Sequence, residues 1–135
     1  MTRLLDTNTC IALLRDSSVR IARKFSAVVA HDGAVAVSSL VACELWYGVH
    51  KSGRRQENAE RLLKFLRGPI KLLPFDAEDA RVAGEIRAEL ALNGNTIGSY
   101  DTLIAGQCLC KNLIVVTSNL AEFRRVKGLH CEDWA

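Results

Sequence analysis

Four short apolar runs, each separated from the next by helical segments, narrow the folds open to this chain more than any other feature. They are Leu4 and Leu5 behind Arg3; residues 34–37, small and β-branched; residues 70–73, cut by Pro74; and residues 113–116, with two valines and an isoleucine. Strands joined through helices pair in parallel by right-handed crossovers, because a tight turn joins only antiparallel neighbours. The expected fold is therefore α/β, a three-layer α/β/α sandwich with a short, mainly parallel central sheet.

The segments between the runs carry helical spacing and end signals. Cys10, Ile11, Leu13 and Leu14 continue from Asp6, and residues 19–31 form an amphipathic helix stopped by His31, Asp32 and Gly33. Ser38 and Ser39 offer a cap to residues 40–49, which are apolar almost all round and are predicted to be buried. A basic helix runs to about Leu66 before Gly68 and Pro69. Asp76 opens the longest helix, closed by Asn93 and Gly94. Ser99 is the predicted cap of a small-residue helix over 103–109 that ends near Lys111 and Asn112. A short helix from about Leu120, a turn at Gly128 and a polar tail complete the chain.

With 135 residues and two prolines, residues 1–135 are expected to make one domain around one core. No apolar run approaches the roughly 18 residues of a membrane span, and the start lacks a secretory pattern, so a cytoplasmic protein is expected. The five cysteines (Cys10, Cys43, Cys108, Cys110 and Cys131) are odd in number and lack paired C-x-x-C spacing; they are expected to be reduced and mainly buried. His31, His50 and His130 do not supply a zinc spacing. A formal charge of +3 is mild, but Lys51, Arg54, Arg55, Arg61, Lys64 and Arg67 crowd one stretch against Glu57 and Glu60. Such a patch suits phosphates, and equally suits a solvated helix face with i,i+4 pairs.

The acids locate the chemistry. Asp6 follows the first run directly, which is how a central strand delivers a carboxylate to the carboxyl edge where open α/β sheets keep their sites. Glu44 lies between Leu40, Val41, Ala42, Cys43 and Leu45, Trp46, Tyr47; a buried carboxylate there needs an ion pair or a metal. Asp101 stands in the first turn of its helix, which also suits the helix dipole. Asn119 and Glu122 have the spacing of a capping box. Thr7 and Thr117, with Asn119 and Glu122, are secondary candidates at the same edge. Asp6, Glu44 and Asp101 meeting there would repel one another, and a hard divalent cation such as magnesium would resolve the repulsion and hydrolyse a nucleic-acid backbone.

In order along the chain, Leu5, Asp6, Thr7, Asn8; Ser38, Ser39 with Glu44, Leu45, Tyr47, Gly48; Ile86 to Leu90; Ile97, Gly98, Tyr100, Asp101, Leu103, Ile104, Ala105; and Val116, Thr117, Asn119, Glu122, Phe123, Val126, Gly128 with Glu132, Asp133, Trp134 resemble PIN-domain proteins, and among them the VapC toxins of bacterial toxin–antitoxin pairs. The resemblance implies an endoribonuclease using magnesium or manganese, often a homodimer, silenced by a cognate VapB-type antitoxin. It implies Asp6 and Asp101 as metal ligands and Glu44 as a third acid that holds metal or orients water. Many relatives have a fourth acid where this chain has Asn119. Members with the Ile97, Gly98 loop and the Glu132, Asp133, Trp134 ending cut tRNA, initiator tRNA in its anticodon loop in particular. Trp46, Tyr47 and Tyr100 are candidate surfaces for unstacked bases.

Two rival functions remain open from sequence. One is phosphotransfer with Asp6 as covalent nucleophile, although the second aspartate of the dehalogenase pattern is missing. The other is a non-catalytic RNA- or partner-binding module whose carboxylates are structural.

Overall fold

A computed structural model describes residues 1–31 and 33–135. Its five strands, β1 (Arg3–Leu5), β2 (Val35–Ser38), β3 (Lys71–Leu73), β4 (Ile114–Val116) and β5 (His130–Glu132), form one sheet in the order β3-β2-β1-β4-β5. Every pairing is parallel, including that of β5 with β4, so the sheet is wholly rather than mainly parallel. β5 occupies what the sequence suggested was a polar tail. Its His130, Cys131 and Glu132 lack the β-branched pattern of a central strand, and only one of its edges pairs, with β4.

Among the described residues seven helices cover the sheet: α1 (Thr7–Arg15), α2 (Val19–Ala30), α3 (Ser39–Lys51), α4 (Arg55–Leu66), α5 (Ala77–Leu92), α6 (Ser99–Lys111) and α7 (Leu120–Phe123). α2 ends with His31 as its C-cap; of the expected stop signal, Asp32 lies outside the described residues. Leu4, Leu5, Ala36, Val37, Val115 and Val116 have no exposure and make the sheet's share of the core, joined from α3, α4 and α6 by Val41, Leu62 and Cys108. No helix among the described residues is long and apolar enough to cross a membrane.

Two contacts set the α5–α6 pair. A Cβ placed on Gly106 would lie 2.5 Å from Ala83 Cβ and 2.7 Å from Ala83 Cα, so only glycine allows this approach of α6 to α5. At the start of α5, Asp76 and Asp79 form a reciprocal capping box. Lys111, the last residue of α6, reaches both carboxylates at 2.8 and 2.7 Å, neutralising the fully buried Asp79.

Several expectations are corrected by packing. α3 is not buried all round: Val41, Ala42, Leu45 and Val49 face inward, whereas Cys43, Tyr47 and Gly48 are exposed. Only Cys10 and Cys108 are buried among the five thiols, where burial raises their pKa values strongly. Gly98, not Ser99, is the N-cap of α6, which begins at Ser99 rather than at Leu103.

Candidate active site at the carboxyl edge of β1 and β4

β1 lies at the centre of the sheet, with β2 on one side and β4 on the other. Leu5 is in register with Val116, and the Asp6 N–H donates to the Val116 carbonyl at 3.0 Å, so the chain leaves β1 beside the end of β4. The two strand ends that the sequence left polar therefore share one crevice. Asp6 then caps α1: its Oδ1 accepts the Thr9 N–H at 2.9 Å. Asp6 is 9 % exposed, and its second oxygen makes no protein hydrogen bond among the described residues.

Asp101 is the third residue of α6, placed by the Gly98 cap, whose carbonyl takes both the N–H and the hydroxyl of Thr102. Asp101 Oδ2 accepts a hydrogen bond from Asn119 Nδ2 at 3.1 Å, and the same amide group donates to Glu122 Oε2. Asn119 is thus not the side-chain cap of α7 that its spacing suggested. Its own N–H is taken by Thr117 Oγ1 at 2.9 Å, and its carboxamide is drawn across the crevice to the two acids. The fully buried Thr117 accordingly acts by orienting Asn119.

Asp101 and Glu122 perturb each other. Burial, then the hydrogen bond to Glu122 and its like charge, push Asp101 up to about 6, with Asp6 adding to the rise and Asn119 opposing it. Glu122 is held below the usual carboxylate range by its hydrogen bonds to Asp101 and Asn119. Two carboxyl groups in this arrangement share a proton unless a cation replaces it.

Glu44 belongs to the same edge but is half-buried rather than enclosed. Its Oε1 accepts from the Thr7 hydroxyl at 2.7 Å, so the residue that follows Asp6 ties α3 to the start of α1. Tyr100 lies near Cys43 and Glu44 of α3, and desolvation, with these neighbours adding to it, raises its pKa. Tyr47 and Tyr100 are 64 % and 43 % exposed, so both rings are open on this surface rather than in the core.

The donors gathered here are carboxylate, hydroxyl and amide oxygens, the set a hard cation takes and zinc does not. Among the described residues no three His, Cys, Asp or Glu side chains close into a ready-made cage. The acid pair Asp101 and Glu122, with Asp6 adding negative charge beside it, is the part of the crevice whose charge calls for a cation.

Two features of the site had no clear signal in the sequence. Gly98 as the cap was hidden behind a better capping residue, Ser99. The amide bridge from Asn119 was masked by the capping-box spacing, and only the approach of Asp101 on α6 reveals it.

Comparison with known proteins agrees with the fold. The PIN domain family matches residues 3–129. The chain is 38 % identical over 132 residues to a tRNA(fMet)-specific endonuclease VapC of Shigella flexneri, covering 98 % of this chain and 97 % of that protein. It is 37 % identical to the protein of the same name from Salmonella typhimurium, covering 97 % and 96 % of the two. Among solved structures, VapBC2 of Rickettsia felis bound to a promoter DNA fragment superposes with a TM-score of 0.93 at 32 % identity, covering both chains completely. DNA-bound VapBC of Salmonella typhimurium gives 0.89 at 36 % identity, covering 100 % of this chain and 99 % of that one.

Proposed function

The chain belongs to the PIN-domain family and is a ribonuclease toxin of the VapC type, and on that premise we propose that it hydrolyses RNA at the Asp6–Asp101–Glu122 crevice with a divalent cation. The observation that carries this is the pairing of Asp101 with Glu122 through Asn119, beside the nearly buried Asp6. Magnesium, or manganese in its place, would be held by Asp6 and Asp101, with Glu122 as the fourth acid and Glu44 at the rim. An ion bound there would supply Lewis-acid polarisation of the scissile phosphodiester and a more acidic water.

The protein's own part is to place these groups before substrate arrives. The α1 cap fixes one oxygen of Asp6 and leaves the other free. The Thr7 hydroxyl holds one oxygen of Glu44 beside the start of α1. Asn119 keeps the two neighbouring acids from swinging apart. Preorganised charge of this kind lowers the barrier because little reorganisation is left for the reaction itself.

The substrate proposed is tRNA, initiator tRNA in particular, supported by the names of the Shigella and Salmonella relatives. Open aromatic rings at Tyr47 and Tyr100 suit bases splayed from a loop. The partner proposed is a VapB-type antitoxin, supported by the toxin–antitoxin complexes among the structural relatives. The active form is proposed to be a homodimer in the cytoplasm, where its RNA is.

Purified chain freed of antitoxin, incubated with total RNA and followed by mapping of new 5′ ends, tests this. Cleavage should concentrate in one tRNA species, require magnesium or manganese, and disappear in Asp6→Asn and Asp101→Asn proteins that retain the parent's circular dichroism. Undiminished cleavage by Asp6→Asn, or in excess EDTA, would refute the assignment of the site.

A further inference from the structure

A groove of about 180 Å³ runs from Glu44 along the seam between α1, α3 and α4, ending between Asn58 and Arg61 on α4 and Arg15 at the end of α1. Ile11 and Leu45 contribute to an apolar floor. Its far end is cationic, and its near end is the rim of the acid crevice. Resting on the ribonuclease function above, we infer that this groove is the track of the RNA strand leaving the scissile phosphate, with Arg15 and Arg61 as its phosphate contacts.

A crevice whose chemistry depends on Asp6, Asp101, Glu122 and Glu44 repels the polyanion it must cut. Cations near the acids but outside them offset that repulsion and set the direction in which the strand lies. Arg15 stands nine positions beyond Asp6, roughly 13 Å along the axis of α1 at 1.5 Å per residue. That exceeds the rise of a single nucleotide, about 3.4 Å in a stacked strand, so the track spans several nucleotides. Among the described residues Arg15 makes no ion pair, and Arg61 has only an exposed contact with Glu57 at 3.7 Å. Both guanidinium groups are therefore available at little cost.

The charge beyond the groove continues the pattern. Arg54, Lys64 and Arg67, on α4 or capping it, are exposed as well, outside the groove itself. α5 carries the opposite balance, with Glu78, Asp79, Glu85 and Glu89 against Arg81 and Arg87. With Asp79 neutralised by Lys111, the exposed charge of α5 is three acids against two arginines, so a polyanion is favoured more on the α1–α4 side than on the α5 side. An apolar floor between cationic walls also suits ribose and base edges, while the arginines take phosphate oxygens in bidentate fashion.

The test compares Arg15→Glu/Arg61→Glu with Arg81→Glu/Arg87→Glu, which makes the same charge change on α5. Cleavage of a synthetic anticodon stem-loop is followed from low to moderate salt, and binding of the same RNA is measured in the Asp6→Asn background. The groove variant should raise KM and Kd at least tenfold with kcat within threefold. It should also flatten the logarithmic salt dependence by about 1.4, roughly 0.7 for each single-strand phosphate that the protein no longer neutralises. The α5 variant should stay within twofold of the parent. Equal KM and salt slope in the groove variant and the parent would overturn the inference while leaving the nuclease function intact. So would a groove variant that loses antitoxin binding alone, which would give the groove to a protein ligand. Absence of cleavage by the parent itself would remove the premise, and the inference with it.

Discussion

The hydroxyl of Thr7 donates to Glu44 Oε1 across 2.7 Å, although 37 positions separate the two residues in the chain. One short side chain beside the first acid of the site thereby sets the orientation of an acid on another helix. Thr7→Val keeps the shape and removes the donor. The expected result is a fall in kcat of roughly tenfold to a hundredfold with an unchanged circular dichroism spectrum, because misplacement of about 1 Å costs that much. Thr7→Ser should restore most of the rate, and failure of serine to do so would show that the methyl group matters instead.

Asp101 links the site to stability. Its carboxyl is raised to about 6 in the fold, above the ordinary value of 3.8, mainly by burial. The folded chain therefore binds this proton more tightly than the unfolded chain, and the residue's contribution to stability declines as pH rises from about 4 to 6. In cation-free protein, Asp101→Asn should raise the thermal midpoint at pH 7.5 and have no such effect at pH 4. Adding magnesium should raise the parent's midpoint at pH 7.5 and leave that of the variant unmoved; scanning calorimetry with and without EDTA measures both.

Gly106→Ala tests the α5–α6 contact. The added methyl group would meet Ala83 backbone and side-chain atoms closer than 3 Å, so a helix must move. Overpacking of this kind costs about 1–3 kcal/mol, read as a lower urea midpoint with an unchanged slope. Because α6 presents Asp101 from its first turn, kcat should fall as well, in contrast to Ala83→Gly, which relieves the contact.

Lys111 ties the last residue of α6 to the capping box of α5. Its ammonium holds the Asp76 carboxyl below the usual range, and the carboxylates raise the pKa of Lys111 in turn. The acid's contribution is present above its unfolded value of 3.8 and is lost as pH falls through its lowered folded value. The contribution of Lys111 is present below 10.5 and is lost as pH climbs through its raised folded value. Lys111→Met should lower the urea midpoint most between these limits and flatten the pH dependence at both ends. A parallel displacement of the whole stability curve would show that packing of the lysine stem, not its charge, is what matters.

Much of the architecture was legible because strands, crossovers and caps are local signals. Asp6 stood out because an apolar run ended in a carboxylate, and β4 because its residues are nearly all β-branched. Glu44 was found for a partly mistaken reason: Cys43, Trp46 and Tyr47 read as core-forming neighbours, yet Cys43 and Tyr47 lie on the surface. Whether an aromatic ring faces inward depends on what covers its helix, which periodicity does not encode when the whole helix is apolar. Asn119 and Glu122 had two readings of one spacing, and the choice between them was made by Asp101, 18 positions away from Asn119. β5 was missed because its partner β4, rather than its own composition, makes it a strand.

The seating of β4 directly against β1 has a consequence for a toxin made on a ribosome. Asp6 is synthesised well before the Asn119 amide and the Glu122 carboxylate that face Asp101 in the same crevice. Until β4 and the residues after it have emerged and docked, the Asp6, Glu44 and Asp101 carboxylates lack the Asn119 amide that draws Asp101 to Glu122. The proposed cutting centre is therefore incomplete in a chain whose β4 is still to be translated.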